Sequence, residues 1–135
     1  MILSSSLCLA AVDGGKIMLG GISPGITTAD LIKACGQPLS KDPKGDDWQY
    51  KNFEIEIEHG VVEEISTRSS EVATPDGVRV GNAAEILNST FGTADKVDVK
   101  SDYTKYKYLS TDGTKKIEFE VAGGLIAKIT CQIND

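Results

Sequence analysis

This sequence lacks the long apolar run of roughly 20 residues that a helix needs to cross a bilayer. It also lacks a basic segment: 14 Lys and Arg stand against 20 Asp and Glu, for a formal net charge of -6. A negative surface repels nucleic acid phosphates and anionic lipid head groups. The sequence therefore predicts a protein that neither spans a membrane nor binds nucleic acid. Its 135 residues suit one domain with one core.

Histidine and cysteine, which supply many nucleophilic and metal sites, are scarce. The one histidine, His59, falls in a predicted turn, and a turn histidine beside acids is more often solvated than catalytic. The cysteines, Cys8, Cys35 and Cys131, lack C-x-x-C spacing, and a zinc site would need all three with His59. Cys35 and Cys131 fit either buried hydrophobic thiols or a disulfide. We therefore predict no enzyme, no metal ion and no cofactor.

The chain contains an internal repeat. The segment Gly21 to Gly36 matches Gly77 to Gly92 position for position, without a gap. Farther along, Gly60 matches Gly124, and the separation between the copies has grown by eight positions. The second copy therefore carries additional residues. We predict that they lengthen a hairpin around the turn Thr111-Asp112-Gly113.

Each copy predicts a short helix followed by three strands. Thr27 with Asp30, and Asn82 with Glu85, have the spacing of capping boxes, and a glycine ends each helix. The middle strands alternate apolar and charged residues, which indicates one buried and one solvent-facing side. The predicted strands are 48–50, 53–57 and 61–67, then 103–109, 116–121 and 125–133. The predicted fold class is α+β, with two tandem helix-plus-three-stranded antiparallel units forming one curved sheet with helices on one face.

The predicted organisation is one domain of residues 1–135, with repeat 1 at 17–68, a linker at 69–76 and repeat 2 at 77–135. Two interpretations fit residues 1–16. They are the remnant of a secretory signal cleaved near Ala10, or an N-terminal strand that turns at Asp13-Gly14-Gly15 into Lys16 to Leu19. The first predicts export to the periplasm, the cell envelope or the medium, and the second predicts a cytoplasmic protein.

A glycine-x-x-x-glycine turn leads each helix, at Gly21 to Gly25 and at Gly77 to Gly81. This arrangement resembles the β-lactamase-inhibitor-protein-like fold, and outer-membrane assembly lipoproteins of the SmpA/OmlA type look like a single copy of it. The openings Leu19 to Gly25 and Thr74 to Gly81 are similar to those of exported bacterial proteins of uncharacterised function. The likeness covers residues 17–133. It implies a sheet whose open face binds partners, and it implies no particular ligand.

Aromatic residues make up only 6% of the chain, so their clustering on two predicted strands is notable. Trp48 and Tyr50 share one strand face, and Tyr106 and Tyr108 share the matching face of the second copy, with Tyr50 aligned to Tyr106. Two placements stay open: beneath the helices as a cap on the core, or on the open face as a platform for a partner. These four residues and Asp112 are the predicted partner-binding residues.

Two groups of acidic residues are better explained as solvent-exposed surface than as a binding or catalytic site. The loop Asp42 to Asp47 lacks the spacing of a calcium-binding EF-hand, so a solvated loop is favoured. A second group of acids alternates along the middle strands and is typical of a solvent-facing sheet surface, where Lys105 and Lys107 can pair with the second-copy acids. Its members are Glu54, Glu56, Glu58, Glu118 and Glu120.

The sequence thus predicts a non-enzymatic, exported binding domain whose sheet face contacts an unknown protein or cell-envelope component. A small-ligand-binding or structural envelope module is the first alternative. An enzyme built on His59 or on a carboxylate pair is the second. The oligomeric state and any involvement of a β-lactamase stay open.

Overall fold

The computed structural model describes residues 12–135. After a 3₁₀ turn at Gly14–Lys16, the helices are α1 (Thr28–Cys35) and α2 (Glu85–Phe91). The strands are β1 (Ser40–Lys41), β2 (Asp47–Gln49), β3 (Glu54–Glu58), β4 (Val61–Thr67), β5 (Lys96–Val99), β6 (Thr104–Leu109), β7 (Lys115–Ala122) and β8 (Leu125–Ile133). The predicted α+β class is confirmed. Neither described helix is long and apolar enough to cross a membrane. The predicted signal remnant and its cleavage near Ala10 lie outside the described residues.

All eight strands form one antiparallel sheet in the order β1-β2-β3-β4-β8-β7-β6-β5. The order is symmetric about its centre, where β4 pairs with β8 and Ile65 lies opposite Cys131. Four strands therefore follow each helix, and the prediction of three is wrong. The additional strands, β1 and β5, are the two edges. With two and four residues they are too short to give a clear alternation pattern in sequence.

The core lies between the helices and one face of the sheet. Leu31 of α1 and Leu87 and Phe91 of α2 are buried together with strand residues such as Ile55 and Phe119. Along β3 and β7, buried residues alternate with more exposed ones, as predicted. Because each helix is only two turns long, this burial, which contributes roughly 1.5–3 kcal/mol per large apolar side chain, is what stabilises it.

The start of α1 and the ends of both helices follow the predicted signals. Thr27 caps α1, since its side-chain oxygen accepts a hydrogen bond of 3.2 Å from the backbone N–H of Asp30. Gly36 and Gly92 end the helices with φ angles of 79° and 82°. Glycine adopts this left-handed region without steric cost, so the chain can leave each helix there.

The predicted cap of α2 is wrong. The Asn82 side-chain oxygen accepts a hydrogen bond of 2.8 Å from the backbone N–H of Arg79, which closes a turn before the helix. The residue before α2, Ala84, makes no side-chain cap. Its backbone N–H donates instead to the carbonyl oxygen of Gly124 at 2.9 Å. A tertiary contact with the β7–β8 turn therefore takes the place of a local cap.

Strand register corrects the predicted alignment of the aromatic residues. Trp48 lies opposite Ile55, and Tyr106 lies opposite Phe119. Ile55 and Phe119 are equivalent positions of the two copies, because they have the same sequence separation as Gly60 and Gly124. Tyr106 therefore occupies the position of Trp48, and not that of Tyr50 as predicted. Some of the additional residues of the second half therefore lie before β6, and the others lie in the long hairpin.

The segment before α1 does not form the predicted hairpin, because Lys16 to Leu19 is not a strand. The Asp13 carboxylate accepts a hydrogen bond of 2.8 Å from the backbone N–H of Gly15 and closes the 3₁₀ turn. The Lys16 ammonium then donates to the carbonyl oxygen of Thr90 at 2.7 Å, near the end of α2. The segment therefore packs on the second half of the molecule.

Residues 69–76, predicted as a linker, contain no helix or strand. Val72 and Thr74 within them are nevertheless buried. The Thr74 hydroxyl accepts a hydrogen bond of 3.1 Å from the backbone N–H of Val78. The segment is therefore packed into the core, which its polar composition did not indicate.

Candidate functional site

The sheet face opposite the helices, here called the open face, carries polar side chains. Strand register brings them into three rows that run across the sheet. The rows are Gln49, Glu54, Ser66, Thr130, Glu118, Lys107 and Lys96; then Asp47, Glu56, Glu64, Gln132 and Lys116; then Lys128, Glu120, Lys105 and Asp98.

The first half of the open face, on β2, β3 and β4, is acidic. Its charged members in the three rows are all carboxylates: Asp47, Glu54, Glu56 and Glu64. Partial burial raises the pKa of Glu56 and of Glu64, and the carboxylates of neighbouring residues raise it further. Asp47, Glu56 and Glu64 therefore repel one another, and a cation placed over them would relieve that repulsion.

The second half of the open face, on β5 to β8, is a mixed network of ion pairs. The Glu118 carboxylate lies 3.7 Å from the Lys105 ammonium, 4.0 Å from that of Lys107 and 3.8 Å from that of Lys116. Lys107 also reaches Asp98 at 3.3 Å. The predicted pairing of Lys105 and Lys107 with the acids of β7 is therefore confirmed for Glu118.

Glu120 departs from that prediction, because its carboxylate pairs with the Arg68 guanidinium at 3.8 Å. Where the two halves meet, Gln132 bridges them. With its amide oriented to satisfy both neighbours, its nitrogen donates to Glu64 at 2.7 Å and its oxygen accepts from Lys116 at 3.0 Å. The acidic half and the mixed half thus form one continuous polar surface.

The predicted aromatic residues lie on the helix side of the sheet. Trp48 and Tyr108 are 5% and 1% exposed, and Tyr50 and Tyr106 are partly buried against the core. The indole N–H of Trp48 donates to the carbonyl oxygen of Gly45 at 2.8 Å. Of the two placements left open by the sequence, the core cap is the observed one, and the open-face platform is wrong. The partner-binding role of these residues stays a prediction.

Asp112 braces the β6–β7 loop. Its carboxylate accepts hydrogen bonds from the Ser110 hydroxyl at 2.7 Å and from the Thr114 hydroxyl and backbone N–H at 2.7 and 3.0 Å. Chiefly because of the hydrogen bonds from Thr114, the pKa of Asp112 is lowered to about 2. The predicted partner-binding residue therefore has a structural task within the chain, and its partner-binding role stays a prediction.

His59 lies on the β3–β4 turn. Its side chain is 89% exposed, and its Nδ1 lies 3.8 Å from a Glu58 carboxylate oxygen, beyond hydrogen-bond distance. In the acidic loop, the Asp42 carboxylate accepts hydrogen bonds from the backbone N–H groups of Asp46 and Asp47 at 2.7 and 3.0 Å. That carboxylate therefore closes its own loop.

Cys35 and Cys131 are free thiols, and burial raises the pKa of both. Cys131 is fully buried on β8, in the core, as one of the two interpretations predicts. Across residues 12–135, no three His, Cys, Asp or Glu side chains are grouped to hold a metal ion.

Two depressions lie on the surface, and the second of them shares Gln49, Glu54, Ser66 and Lys128 with the rows of the open face. An apolar groove of about 400 Å³ runs between α2 and the β5–β6 hairpin, and Leu87, Val97 and Tyr106 line it. This groove was not predicted, because the only signal for it in the sequence is the short alternation of β5. A more polar depression of about 300 Å³ lies beside Phe53 and Arg68.

Two solved structures share this fold. A DUF4309 family protein, YjgB, from Bacillus subtilis has a TM-score of 0.62 at 15% identity, over 84% of this chain and 82% of that one. An extracellular protein containing an SCP domain, from Bacillus anthracis str. Ames, has a TM-score of 0.60 at 10% identity, over 81% of this chain and 43% of that one. At such identities the likeness shows the fold alone. No protein-family model and no curated protein sequence matches the chain.

Proposed function

We propose that this chain is a non-enzymatic binding domain, exported to the cell envelope or the medium, whose open face contacts a protein partner. Export is supported by the fold similarity to an extracellular Bacillus anthracis protein. We further propose that two tandem helix-plus-strand units, of the kind found in the β-lactamase-inhibitor-protein-like fold, underlie the symmetric strand order.

The division of charge on the open face is the observation that carries the proposal. The acidic half holds Asp47, Glu54 and Glu56 in adjacent positions, and no lysine lies directly opposite any of them in the pairing of β2, β3 and β4. The mixed half neutralises its own carboxylates through Lys105, Lys107 and other cations. A partner with a basic region over the acidic half gains charge complementarity, which raises the association rate and fixes orientation.

The experiment places a photo-crosslinking amino acid at Gln49 on the open face, and in a second protein at Lys33 on the exposed side of α1. Each is irradiated with cell-envelope and secreted protein fractions, and adducts are identified by mass spectrometry. We expect discrete adducts from position 49 and none shared by position 33. The yield should fall as ionic strength rises, because exposed charges are screened within about 10 Å at 0.1 M salt.

The charge-reversal variant Glu54→Lys/Glu56→Lys should lose the position-49 adducts. Its matched control, Glu71→Lys/Asp102→Lys, changes the net charge equally but at exposed acids outside the three rows, and should keep them. Equal adducts from both crosslinker positions, or equal loss in both charge variants, would refute contact through the open face.

A small-ligand-binding module is a second candidate, and the apolar groove favours it. Its volume of about 400 Å³ suits a small apolar molecule, and Tyr106 and Leu87 supply apolar walls. Native mass spectrometry of the purified protein tests this candidate. A bound molecule that is lost in Leu87→Glu supports it, whereas a mass equal to that of the bare chain in both proteins counts against it.

A further inference from the structure

The two edges of the sheet differ in their capacity to pair with another strand. The edge strand β1 has two residues, which leaves little backbone to template a partner. The edge strand β5 has four, Lys96–Val99, and carries two exposed apolar side chains. Val97 is 49% exposed and Val99 is 78% exposed. The β5 edge is therefore the one that offers both backbone groups and apolar surface.

Among residues 12–135, the backbone groups of β5 that are free to bond another strand are those of Val97 and Val99. The backbone N–H of Lys100 donates to the carbonyl oxygen of Tyr103 at 2.8 Å, where the β5–β6 hairpin closes. Hydrogen-bonded and non-hydrogen-bonded residues alternate along an antiparallel pair. The even-numbered residues Lys96 and Asp98 therefore bond to β6, and the N–H and C=O groups of Val97 and Val99 point away from the sheet.

We propose that β5 pairs antiparallel with β5 of a second copy of this chain, in a register centred on Val97. In that register the outward N–H and C=O groups of the two Val97 residues bond each other. Lys96 of each copy then lies opposite Asp98 of the other, so that two pairs of opposite charges form on the open face. This dimer is independent of the proposed partner contact, and it would join two open faces into one surface.

Charge and strand length select this register among those that the hydrogen-bond pattern allows. A register centred on Asp98 would place the two Asp98 carboxylates opposite each other and Lys96 opposite Lys100. Both contacts would join like charges and are therefore unfavourable. A register centred on Val99 would match opposite charges, but it would run each strand against the turn residues Ser101 and Asp102. Only the Val97 register keeps the charges matched and the paired residues within or next to β5.

The side-chain alternation of β5 supports the same arrangement. Val97 lies opposite Tyr106 and lines the apolar groove, so it belongs to the helix side of the sheet. In the dimer the two Val97 side chains would meet there, at the outer rim of the groove. Because two short strands bury less than the about 1,200 Å² typical of the smallest stable interfaces, we expect a weak, reversible dimer.

The first test is sedimentation velocity of the full chain over a wide concentration range, with single and paired charge changes on β5. Lys96→Glu or Asp98→Lys alone turns both interchain pairs repulsive and should raise the dimer dissociation constant at least about tenfold. The double variant Lys96→Glu/Asp98→Lys should restore it, because each interchain pair then again joins a glutamate to a lysine, with the two positions exchanged. Circular dichroism checks that each variant folds.

The second test is register-specific disulfide formation under mild oxidation, mapped by peptide mass spectrometry. Val97→Cys should give a disulfide that joins position 97 of the two copies, because directly paired Cα atoms lie within disulfide range. Asp98→Cys and Val99→Cys should not. Val97→Pro removes only an outward N–H and should abolish the dimer while leaving the monomer folded.

Two results would overturn the proposal. If the chain stays monomeric at the highest soluble concentration, the β5 edge does not pair with a second copy. An extended strand of another protein would then be its occupant. A dimer that persists in Val97→Pro, or that crosslinks through Val99→Cys with no rescue by the double charge swap, would place the interface or the register elsewhere.

Discussion

At the scale of single residues, Asp112 shows how a carboxylate that looks free in sequence can be engaged within its own loop. A short polar turn with Asp and Gly is typical of an exposed hairpin tip. In the structure the Asp112 carboxylate holds both Ser110 and Thr114, and Ser110 in turn accepts a hydrogen bond from the backbone N–H of Lys115 at 3.0 Å. The loop is therefore a closed hydrogen-bonded unit.

Asp112→Ala should loosen the loop, because it removes the acceptor of three hydrogen bonds. The folded pKa is lowered to about 2 from the ordinary 3.8, so the stabilisation is present above about pH 4 and is lost as the pH falls through about 2. We expect faster amide hydrogen exchange at Thr114 and Lys115 in the variant at pH 5. The difference from wild type should shrink as the pH approaches 2.

Asp112→Asn is the matched control, since it keeps an acceptor oxygen without the charge. Its exchange rates should lie between those of the wild type and Asp112→Ala, and their ratio to the wild type should show little change above pH 4. Identical exchange at Thr114 in all three proteins would show that the carboxylate does not hold the loop.

At the scale of elements, local chemistry predicted most turns and strands, and non-local contacts account for the errors. The Thr27 cap and the glycine helix ends depend on close sequence neighbours, and all of these were predictable. The start of α2 was not, because the N–H of Ala84 bonds to Gly124, in a turn at the far end of the same half. Likewise, the register of β6 could not be predicted from the sequence, because only its pairing with β7 determines which position Tyr106 occupies.

The β3–β4 hairpin depends on the backbone conformation of its turn. Its two-residue turn has both residues in the left-handed region, with φ 53° at His59 and 75° at Gly60. Asparagine is preferred over histidine at the first position of such a turn. His59→Asn should therefore raise the free energy of unfolding by about 0.5 kcal/mol, measured by urea denaturation.

His59→Val provides the opposite control, because a β-branched residue is disfavoured at positive φ by about 1–2 kcal/mol. The two substitutions should shift stability in opposite directions at a site whose side chain makes no hydrogen bond to any of residues 12–135. If both variants shift the urea midpoint in the same direction, the turn conformation does not govern stability at this position.

At the scale of the whole molecule, strand order decides which side chains share a surface. The alternating acids of β3 and β7 were predictable one strand at a time. That Glu56 faces Asp47 and Glu64, whereas Glu118 faces Lys107, follows only from the pairing of β2 with β3 and of β6 with β7. The same pairing places the aromatic residues under the helices, which sequence periodicity left open.

Glu56→Gln should stabilise the fold at neutral pH. Burial and the Asp47 and Glu58 carboxylates raise the folded pKa of Glu56 above 4.5. The stability that this group contributes is therefore present below pH 4.5 and is lost as the pH rises through the folded pKa. Because Glu56 is exposed to solvent despite this partial burial, screening weakens the repulsion, and we expect a gain of only about 0.5 kcal/mol at pH 7. Urea denaturation of both proteins should show that the gain disappears near pH 4 and shrinks in 1 M NaCl. An equal gain at both pH values would rule out charge repulsion as its cause.

The central β4–β8 pair is where the two symmetric halves meet. Ile65 is fully buried there, opposite Cys131 on one side and Ile55 on the other. Truncation of Ile65 to alanine should cost about 2–5 kcal/mol of unfolding free energy.

If the halves share one core, unfolding stays a single transition. Fluorescence of the lone Trp48, in the first half, and far-UV circular dichroism, which reports on both halves, should then agree on one midpoint in wild type and on one lower midpoint in Ile65→Ala. Val99→Ala, at an exposed edge position, should have the same midpoint as wild type. Separate midpoints from the two probes would mean that each half folds alone around its own helix.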